Sequence, residues 1–287
     1  MSQQVTVPAV RARKGRNSST PLVMVTAYDA PGARMADEAG VDIILVGDSL
    51  AMVVLGYDDT LRVTVADMAH HVAAVARARP RPLVVADLPW LSYHVSVEDT
   101  VRNAATLVRA GAVAVKLEGG RKRVAMVEAL VAAEIPVMGH LGLTPQSVHA
   151  MGGYRVQARD VDAALALVDD ARMLEAAGCF SIVIEGVPDQ VAAMVTDAVK
   201  VPTIGIGAGP ACDGQVLVAH DLLGLEDRVT PKFVRRYANL KADGVAAMAA
   251  FAADVRARRF PADIESYHLA DSVTEALGLY GGASKTA

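Results

Sequence analysis

The chain has 287 residues, 53% of them hydrophobic, which is enough to bury the core of one large domain. Its formal net charge of -4 gives no reason to expect a nucleic-acid partner, and no apolar run approaches the ~20 residues that a membrane-spanning helix needs. The two cysteines, Cys179 and Cys212, belong to no CxxC or Cys/His cluster, so a disulfide scaffold and a thiolate zinc site are disfavoured and a reducing, cytoplasmic compartment is expected.

The N-terminal segment is basic, because its first 28 residues contain four basic residues and no acidic one. Organelle transit peptides can have this composition, but Pro8 and Gly15 would interrupt an amphipathic helix here. We therefore expect a flexible basic segment over residues 1–20, one catalytic domain over 21–268 and a loose C-terminal tail over 269–287.

Short apolar runs without polar alternation recur along the chain, as expected for parallel strands that are covered on both faces. The runs occupy residues 22–26, 43–46, 83–86, 114–117, 137–138, 182–184, 203–206 and 216–218. Between them lie Ala-rich stretches in which apolar residues return every three or four positions, which predicts helices. Examples are residues 65–78, 98–110, 123–134 and 163–176.

Residues at the boundaries of these stretches agree with the predicted helices. Thr64 with Asp67, and Ser96 with Asp99, resemble N-terminal capping boxes. A glycine also follows three of the helical stretches, where a left-handed C-cap is favoured. These glycines are Gly40, Gly111 and Gly178.

The alternation of runs and stretches predicts the fold. Eight β-then-α units within about 240 residues indicate an α/β protein with a single-domain (β/α)8 TIM barrel. The alternative is a doubly wound open sheet, which usually has fewer strands and a glycine-rich first turn. The turn after the first run reads TAYD at 26–29 and contains no glycine, so we favour the barrel.

Ionisable residues lie at the ends of five consecutive predicted strands, the ends that carry catalysis in a TIM barrel. Asp48, Asp87 and Glu118 end the second, third and fourth strands. Each acid alone could cap the helix that follows, but three converging acids repel one another unless a cation or protons compensate. Oxygen ligands without cysteine, with His140 on the next strand, suit Mg²⁺ better than zinc. The sequence therefore predicts a magnesium site at this mouth.

Two further charged residues belong to the same strand ends. Lys116 lies two residues before Glu118, so both side chains face the same side of the strand, the barrel interior if Glu118 is a ligand. A buried lysine is costly unless paired, so we expect it to bind a substrate carboxylate, to pair with the acids, or to form a Schiff base, in that order. Glu185 ends the sixth strand and is the candidate general base, with a helix cap as the alternative. For His140 the sequence leaves four roles open: a ligand, an acid, a hydrogen-bonding group or a structural residue.

The seventh strand ends in a glycine-rich sequence that includes Gly207 and Gly209. Glycines at this position in barrels often let backbone amides approach a phosphate, but they also relieve crowding at the rim. The motif leaves open a barrel enzyme that handles a phosphorylated substrate.

The same residues carry a resemblance to the ketopantoate hydroxymethyltransferase family, which covers roughly residues 20 to 268 in order. The matching blocks are VTAYD at 25–29, LVGDS at 45–49, ADLP at 86–89, VKLEGG at 115–120, GHLGLTPQS at 139–147, GIGAG at 205–209, CDGQ at 212–215 and, more loosely, SYH at 266–268. The resemblance implies transfer of a hydroxymethyl group from 5,10-methylenetetrahydrofolate, with water, to 3-methyl-2-oxobutanoate. The products would be 2-dehydropantoate and tetrahydrofolate, in the first committed step of pantothenate biosynthesis.

The resemblance also implies roles for residues of the site. By similarity, Asp48 and Asp87 bind Mg²⁺, and Glu118 completes the site directly or through a water. Glu185 would be the proton acceptor. The oxo acid would contact Asp48, Ser49, Asp87 and Lys116, with His140 added to this set. Family members are homo-oligomers, often decamers, which implies the same here.

Two other functions remain as alternatives. One is another Mg²⁺-dependent enolate-forming enzyme of the phosphoenolpyruvate mutase and isocitrate lyase type, which shares the barrel and the acids but usually has a catalytic cysteine on a mobile loop. Neither Cys179 nor Cys212 fits such a loop. The other is a non-catalytic assembly protein, which the complete set of polar groups disfavours.

Overall fold

The computed structural model describes residues 4–15, 20–225 and 231–279. Within these residues, eight parallel strands pair in chain order, and the first also pairs with the last, so the sheet closes into a barrel. The strands are β1 (Leu22–Thr26), β2 (Ile43–Val46), β3 (Leu83–Asp87), β4 (Ala114–Glu118), β5 (Val137–Gly142), β6 (Ser181–Glu185), β7 (Thr203–Ile206) and β8 (Gly214–Leu217). The predicted TIM barrel is confirmed, and the doubly wound open sheet is excluded.

The helices come mainly between successive strands, as the alternating pattern predicted. They are α1 (Val7–Arg11), α2 (Ala30–Glu38), α3 (Leu50–Val53), α4 (Val65–Arg77), α5 (Val97–Ala110), α6 (Val124–Ala132), α7 (Val148–Met151), α8 (Val161–Ala176), α9 (Asp189–Ala198) and α10 (Ala219–Leu222). Short 3₁₀ turns occupy Arg121–Arg123 and Pro145–Ser147. The four stretches predicted as helices match α4, α5, α6 and α8 to within two residues at each end.

Helix ends follow the predicted capping residues. The Thr64 hydroxyl accepts a hydrogen bond from the Asp67 amide, and the Asp67 carboxylate accepts one from the Thr64 amide, which completes a capping box. The glycines Gly40, Gly111 and Gly178 all have positive φ angles, which L side chains rarely adopt. Ser96 caps α5 by accepting a hydrogen bond from the Asp99 amide at 3.0 Å, so the predicted helix start is confirmed there as a simple N-cap.

Strand ends agree with the predicted runs to within one residue except in β5 and β8. β5 continues for four residues beyond the apolar run and ends at Gly142, because the backbone there still pairs with β6. β8 begins at Gly214, two residues earlier than predicted, where the backbone pairs with both β1 and β7. Residues 207–213 between β7 and β8 form bends and turns without a helix.

Side chains of the strands alternate between two buried clusters, as the two-residue period of a strand requires. Leu22, Met24 and Ile43 belong to the cluster inside the barrel, whereas Ile44 belongs to the cluster between the strands and the helices. Val10 of α1 has no exposed surface and belongs to the inner cluster. The N-terminal segment predicted as flexible thus contains a helix that packs against the barrel interior; Arg16 of that segment lies outside the described residues.

The contacts divide the chain into two compact units, Met1–Ala238 and Asn239–Ala287, and all eight strands belong to the first. The second unit contains α11 (Leu240–Arg256), a 3₁₀ turn (Asp263–Glu265) and α12 (Asp271–Ala276). Neither of its two helices has a buried residue. Residues 280–287 of the predicted tail lie outside the described residues, and the predicted domain boundaries after residues 20 and 268 stay predictions. None of the helices in the described part of the chain has the length and apolar character to cross a membrane.

Asp213 is a buried anion that ties the N-terminal segment to the barrel. Its carboxylate accepts hydrogen bonds from the Lys14 ammonium at 2.9 Å, the Gly15 amide at 3.0 Å and the Thr203 amide at 2.8 Å. Its side chain is 1% exposed, so these donors replace the water that the charge has lost. The Lys14 ammonium also donates to the Thr196 carbonyl at 2.7 Å.

We expect the Asp213→Ala variant to lose roughly 3–5 kcal/mol of unfolding free energy, because removal of one partner leaves a partly buried charge uncompensated. Urea-induced unfolding of the variant would measure the loss. Thr64→Ala is the control, since it removes an exposed helix cap and costs about 1 kcal/mol. A loss in Asp213→Ala no larger than in the control would contradict the structural role of Asp213.

Candidate active site

The polar residues predicted at the strand ends meet at one mouth of the barrel. Asp48 follows β2 after one residue, Asp87 is the last residue of β3, and Glu118 is the last residue of β4. His140 lies within β5, and Glu185 is the last residue of β6. Because parallel strands of a barrel all point the same way, these five positions share one rim. The first four residues are at most 5% exposed.

Asp87 contacts residues on both sides of β3, Asp48 after β2 and Lys116 within β4. Its Oδ2 accepts a hydrogen bond from the backbone amide of Asp48 at 3.0 Å. Its Oδ1 lies 2.8 Å from the Lys116 Nζ, and both side chains are at most 4% exposed. The structure therefore shows the ion pair that the sequence left as the second role for Lys116.

His140 connects the remaining charged groups. Its Nδ1 lies 3.2 Å from the Lys116 Nζ and 3.4 Å from Glu118 Oε1, while its Nε2 lies 3.1 Å from Glu185 Oε2. The shared contact with His140 confirms that Lys116 and Glu118 face the barrel interior together. Burial and the charge of Lys116 lower the pKa of His140, but its contacts with the two glutamates outweigh them and raise that pKa to about 9.

The acids are not fully compensated by the cations. Burial raises the pKa of Asp48 well above its usual value, and the negative charges of Asp87 and Glu118 raise it further. Burial also opposes the charge on Lys116, but the acids around it outweigh this effect and raise its pKa. For Glu118, the contacts with His140 and the charge of Lys116 overcome burial and lower the pKa. The acids thus outnumber the cations, and this excess favours a proton or a further cation at Asp48.

Whether a metal ion would fit can be judged from this excess of acids and from the type of donor atom. The donors on the side of Asp48 are carboxylate oxygens from Asp48, Asp87 and Glu118, a set that suits Mg²⁺. In the described ranges of the chain, no group of three or more His, Cys, Asp or Glu side chains is arranged as a set of metal ligands, and Lys116 occupies the position of counterion to Asp87. The oxygen donors and the excess of acids fit the ion in chemistry and charge, whereas in the described residues the side chains do not form a closed ligand set.

Ser49 follows Asp48 in the chain, and its side chain contacts a tyrosine. Its hydroxyl oxygen is 2.9 Å from the hydroxyl oxygen of Tyr28, two residues after the end of β1. Although Ser49 occupies the N-cap position of α3, its side chain makes no capping hydrogen bond. The hydroxyl is therefore directed by Tyr28 rather than used to cap the helix.

Two residues of the cluster were not predicted from the sequence. Gln146, in the 3₁₀ turn after β5, donates from Nε2 to Asp48 Oδ2 at 2.8 Å and from its backbone amide to Glu118 Oε2 at 3.0 Å. Tyr93, in the loop after β3, donates its hydroxyl to Gln146 Oε1 at 2.6 Å. Neither is at a strand end, so the rule that found the acids could not find them. The block GHLGLTPQS, which carried the family resemblance, contains Gln146 and was the one signal available.

The glycines after β7 have a packing role. A side chain at Gly207 would bring Cβ to 2.7 Å from the Phe233 ring, and one at Gly209 would overlap with Asp189. Both glycines also have positive φ angles. Crowding at the rim, the second explanation given for this motif, accounts for both residues without a phosphate.

Gly142 allows the close approach of β5 and β6 beside the cluster. Its φ angle is +92°, and a Cβ at this position would overlap with the carbonyl oxygen of Glu185 and approach Val187 to 2.8 Å. The amide of Leu143 donates to that same carbonyl at 2.8 Å. The position of the Glu185 backbone therefore depends on the absence of a side chain at residue 142.

Comparisons with known proteins agree on one family. Residues 4–263 match the family model described as ketopantoate hydroxymethyltransferase. The chain is 58% identical over 272 residues to a 3-methyl-2-oxobutanoate hydroxymethyltransferase from Methylobacterium sp. (strain 4-46), which covers 95% of this chain and 94% of that protein. It is 54% identical to 3-methyl-2-oxobutanoate hydroxymethyltransferase 2 from Bradyrhizobium diazoefficiens, with 99% and 96% covered.

Solved structures with the same fold are much less similar in sequence. A phosphonopyruvate hydrolase in complex with oxalate and Mg²⁺ matches with a TM-score of 0.58 and 16% identity, over 95% of this chain and 94% of that one. A 2,3-dimethylmalate lyase, described as a member of the PEP mutase/isocitrate lyase superfamily, matches with a TM-score of 0.54 and 18% identity, over 97% and 96%. At this identity the two matches support the barrel fold and carry no conclusion about chemistry.

We expect Gly142→Ala to destabilise the protein more than Gly152→Ala. Both glycines have positive φ angles, so each substitution costs roughly 1–2 kcal/mol of backbone strain. Nothing lies within 4 Å of a Cβ at Gly152, whereas the overlap at Gly142 adds a further ~1–3 kcal/mol. Urea-induced unfolding of both variants measures the difference, and equal losses would show that β5 and β6 can separate at no cost.

Proposed function

The chain belongs to the ketopantoate hydroxymethyltransferase family, and we propose that it transfers a hydroxymethyl group to 3-methyl-2-oxobutanoate with the polar cluster at the mouth of its barrel. The observation that carries the proposal is identity above 50%, over nearly the whole chain, to relatives named for this reaction. The cluster supplies what the reaction needs: acids for a cation, a cation for a carboxylate, and a base. The donor would be 5,10-methylenetetrahydrofolate, and the product would be 2-dehydropantoate, a precursor in pantothenate biosynthesis.

Asp48 and Asp87 would hold Mg²⁺, with Glu118 completing the site directly or through a water. The excess negative charge on the side of Asp48 and the oxygen donors of all three residues support this assignment. When bound, Mg²⁺ supplies a Lewis acid beside the ketone oxygen of the oxo acid.

Lys116 would anchor the carboxylate of the oxo acid. Its Nζ lies in the barrel interior between Asp87 and His140, within the group of acids that keeps it protonated. A compact ammonium there attracts a substrate carboxylate into a region where burial strengthens the interaction. Ser49, directed by Tyr28, would donate a hydrogen bond to the same substrate. His140 would contact it as well.

Glu185 would accept the proton from C3 of the oxo acid. It is the most exposed acid of the cluster, with 14% of its side chain accessible, so a substrate in the mouth can reach it. The His140 Nε2 lies 3.1 Å from its Oε2, which leaves the other oxygen for the C3 proton. The balance of the reaction is then complete: a C–C bond forms between C3 and the one-carbon unit, both of its C–N bonds to the folate break, and water supplies the hydroxyl oxygen. The water protons go to the folate nitrogens, and the C3 proton goes to the new hydroxyl.

The phosphoenolpyruvate mutase and isocitrate lyase type of enzyme is less well supported. A 2,3-dimethylmalate lyase of this superfamily matches at 18% identity, which shows a shared barrel fold alone. Cys179 and Cys212 are both buried and free, and burial raises the pKa of each thiol. A buried thiol of raised pKa is a poor acid or nucleophile.

We further propose that the protein is cytoplasmic and forms a homo-oligomer, a decamer by family resemblance. Large apolar side chains on the unit Asn239–Ala287, among them Met248, Phe251 and Ile264, are exposed in a single chain. Exposed apolar surface of this kind is typical of an interface between subunits.

We expect Glu185→Gln to bind 3-methyl-2-oxobutanoate but to exchange its C3 proton with deuterated solvent roughly 10²–10⁴-fold more slowly, since the amide cannot accept the proton. Proton NMR of the oxo acid measures exchange without the folate. The control is Glu175→Gln on α8, where the side chain accepts a hydrogen bond from the Lys200 amide far from the mouth. Exchange at the wild-type rate in Glu185→Gln would rule out Glu185 as the base.

We also expect removal of divalent metal with a chelator to abolish the transfer, and added Mg²⁺ to restore it. Asp48→Asn should lower the rate by ~100-fold or more in saturating substrate, because several kcal/mol of charge stabilisation is lost. The assay follows loss of 3-methyl-2-oxobutanoate with methylenetetrahydrofolate. Glu98→Gln, which changes an exposed partner of Arg102 on α5, is the control. A metal-independent rate in the wild type would contradict the metal site.

A further inference from the structure

We propose that Gln146, held in place by Tyr93, is a positioning residue that orients both Asp48 and Glu118 for the bound cation. The inference rests on the proposed function, because it assumes that these acids hold the metal. It goes beyond that function by assigning a role to a residue outside the strand ends.

All of the polar groups of Gln146 except its backbone carbonyl form hydrogen bonds with the acids or with residues next to them. The side-chain amide nitrogen donates to Asp48 Oδ2 at 2.8 Å and to the Leu88 carbonyl at 2.9 Å. Its Oε1 accepts from the Tyr93 hydroxyl at 2.6 Å, and its backbone amide donates to Glu118 Oε2 at 3.0 Å. One residue that is 5% exposed thus fixes one oxygen of each of two acids from different strands.

The contacts allow only one orientation of the Gln146 side-chain amide. The two acceptors, on Asp48 and Leu88, both face the nitrogen, while the oxygen faces the Tyr93 hydroxyl. Rotation of the amide by half a turn would place its oxygen against a carboxylate and a carbonyl, which are both acceptors. Burial makes such unsatisfied contacts costly, so the donor toward Asp48 is fixed.

Tyr93 links this amide to the second acid. Its hydroxyl accepts a hydrogen bond from the Glu118 backbone amide at 3.2 Å while it donates to Gln146. The tyrosine has no exposed surface, and Arg123 lies 5.5 Å from the centre of its ring. The loop after β3, the end of β4 and the turn after β5 are therefore joined around one hydroxyl. Partners that hold metal-binding carboxylates in this way typically change metal affinity when they are removed.

The experiment measures binding of Mn²⁺ alone, by the paramagnetic resonance signal of the free ion. We expect Gln146→Met to bind Mn²⁺ roughly 10- to 100-fold more weakly than the wild type, because it is close in size but cannot donate to Asp48. The matched control is Gln215→Met, since Gln215 is exposed on β8 and its side-chain amide donates to the Gly209 carbonyl at 3.0 Å. It should bind Mn²⁺ as the wild type does.

Tyr93→Phe is the second variant, because it removes a single hydroxyl and keeps the ring in the core. We expect it to weaken Mn²⁺ binding in the same direction but by a smaller factor, since Gln146 keeps its two acceptors. If both variants bind Mn²⁺ as tightly as the wild type, Gln146 does not position the acids and the inference is wrong. If the wild type itself binds no Mn²⁺, the metal site under the proposed function fails, and the inference fails with it for that separate reason.

Discussion

The ion pair between Lys116 Nζ and Asp87 Oδ1, 2.8 Å long and almost completely shielded from water, joins the end of β3 to the middle of β4 inside the barrel. Burial of either charge alone would cost several kcal/mol, so each requires the other. The pair also sets the charge of its surroundings. Asp48, Glu118 and His140 all interact with Lys116, and the protonation of each depends on it. The order of charges around the mouth therefore follows from one lysine in the middle of a strand.

The distances within this cluster require segments of the backbone to approach one another closely. The parallel strands place the acids on one rim, but the distances depend on residues that bear no charge. Gly142 lets β5 reach the carbonyl of Glu185, and the 3₁₀ turn that follows brings Gln146 back over the acids. Electrostatics alone would push Asp48 and Glu118 apart. Hydrogen bonds from a neutral amide hold them without adding charge, which leaves their negative charge available to a cation.

Much of the site could be predicted from the sequence because the fold makes a simple rule available. Asp48, Asp87, Glu118 and Glu185 are found at strand ends, and the alternation of side chains along β4 predicts that Lys116 faces inward with Glu118. The extension of β5 to Gly142 was missed because glycines interrupt the apolar pattern, while the pairing that keeps them in the strand comes from β6. Gln146 and Tyr93 were missed for a related reason: their roles depend on where two loops meet in space. The oxo acid and the folate came from the family resemblance, since no spacing of acids specifies them.

The choice of lysine rather than arginine at residue 116 bears on how the site can accept a substrate. An ammonium carries three donors that rotate about one bond, and the contacts with Asp87 and His140 engage at most two of them. One donor therefore remains for a carboxylate that enters from the mouth. A guanidinium would need a planar arrangement of acceptors to use its donors. Lys116 can thus stay paired with Asp87 while it binds an oxo acid, so its ion pair and its proposed role as a substrate anchor are compatible within one structure.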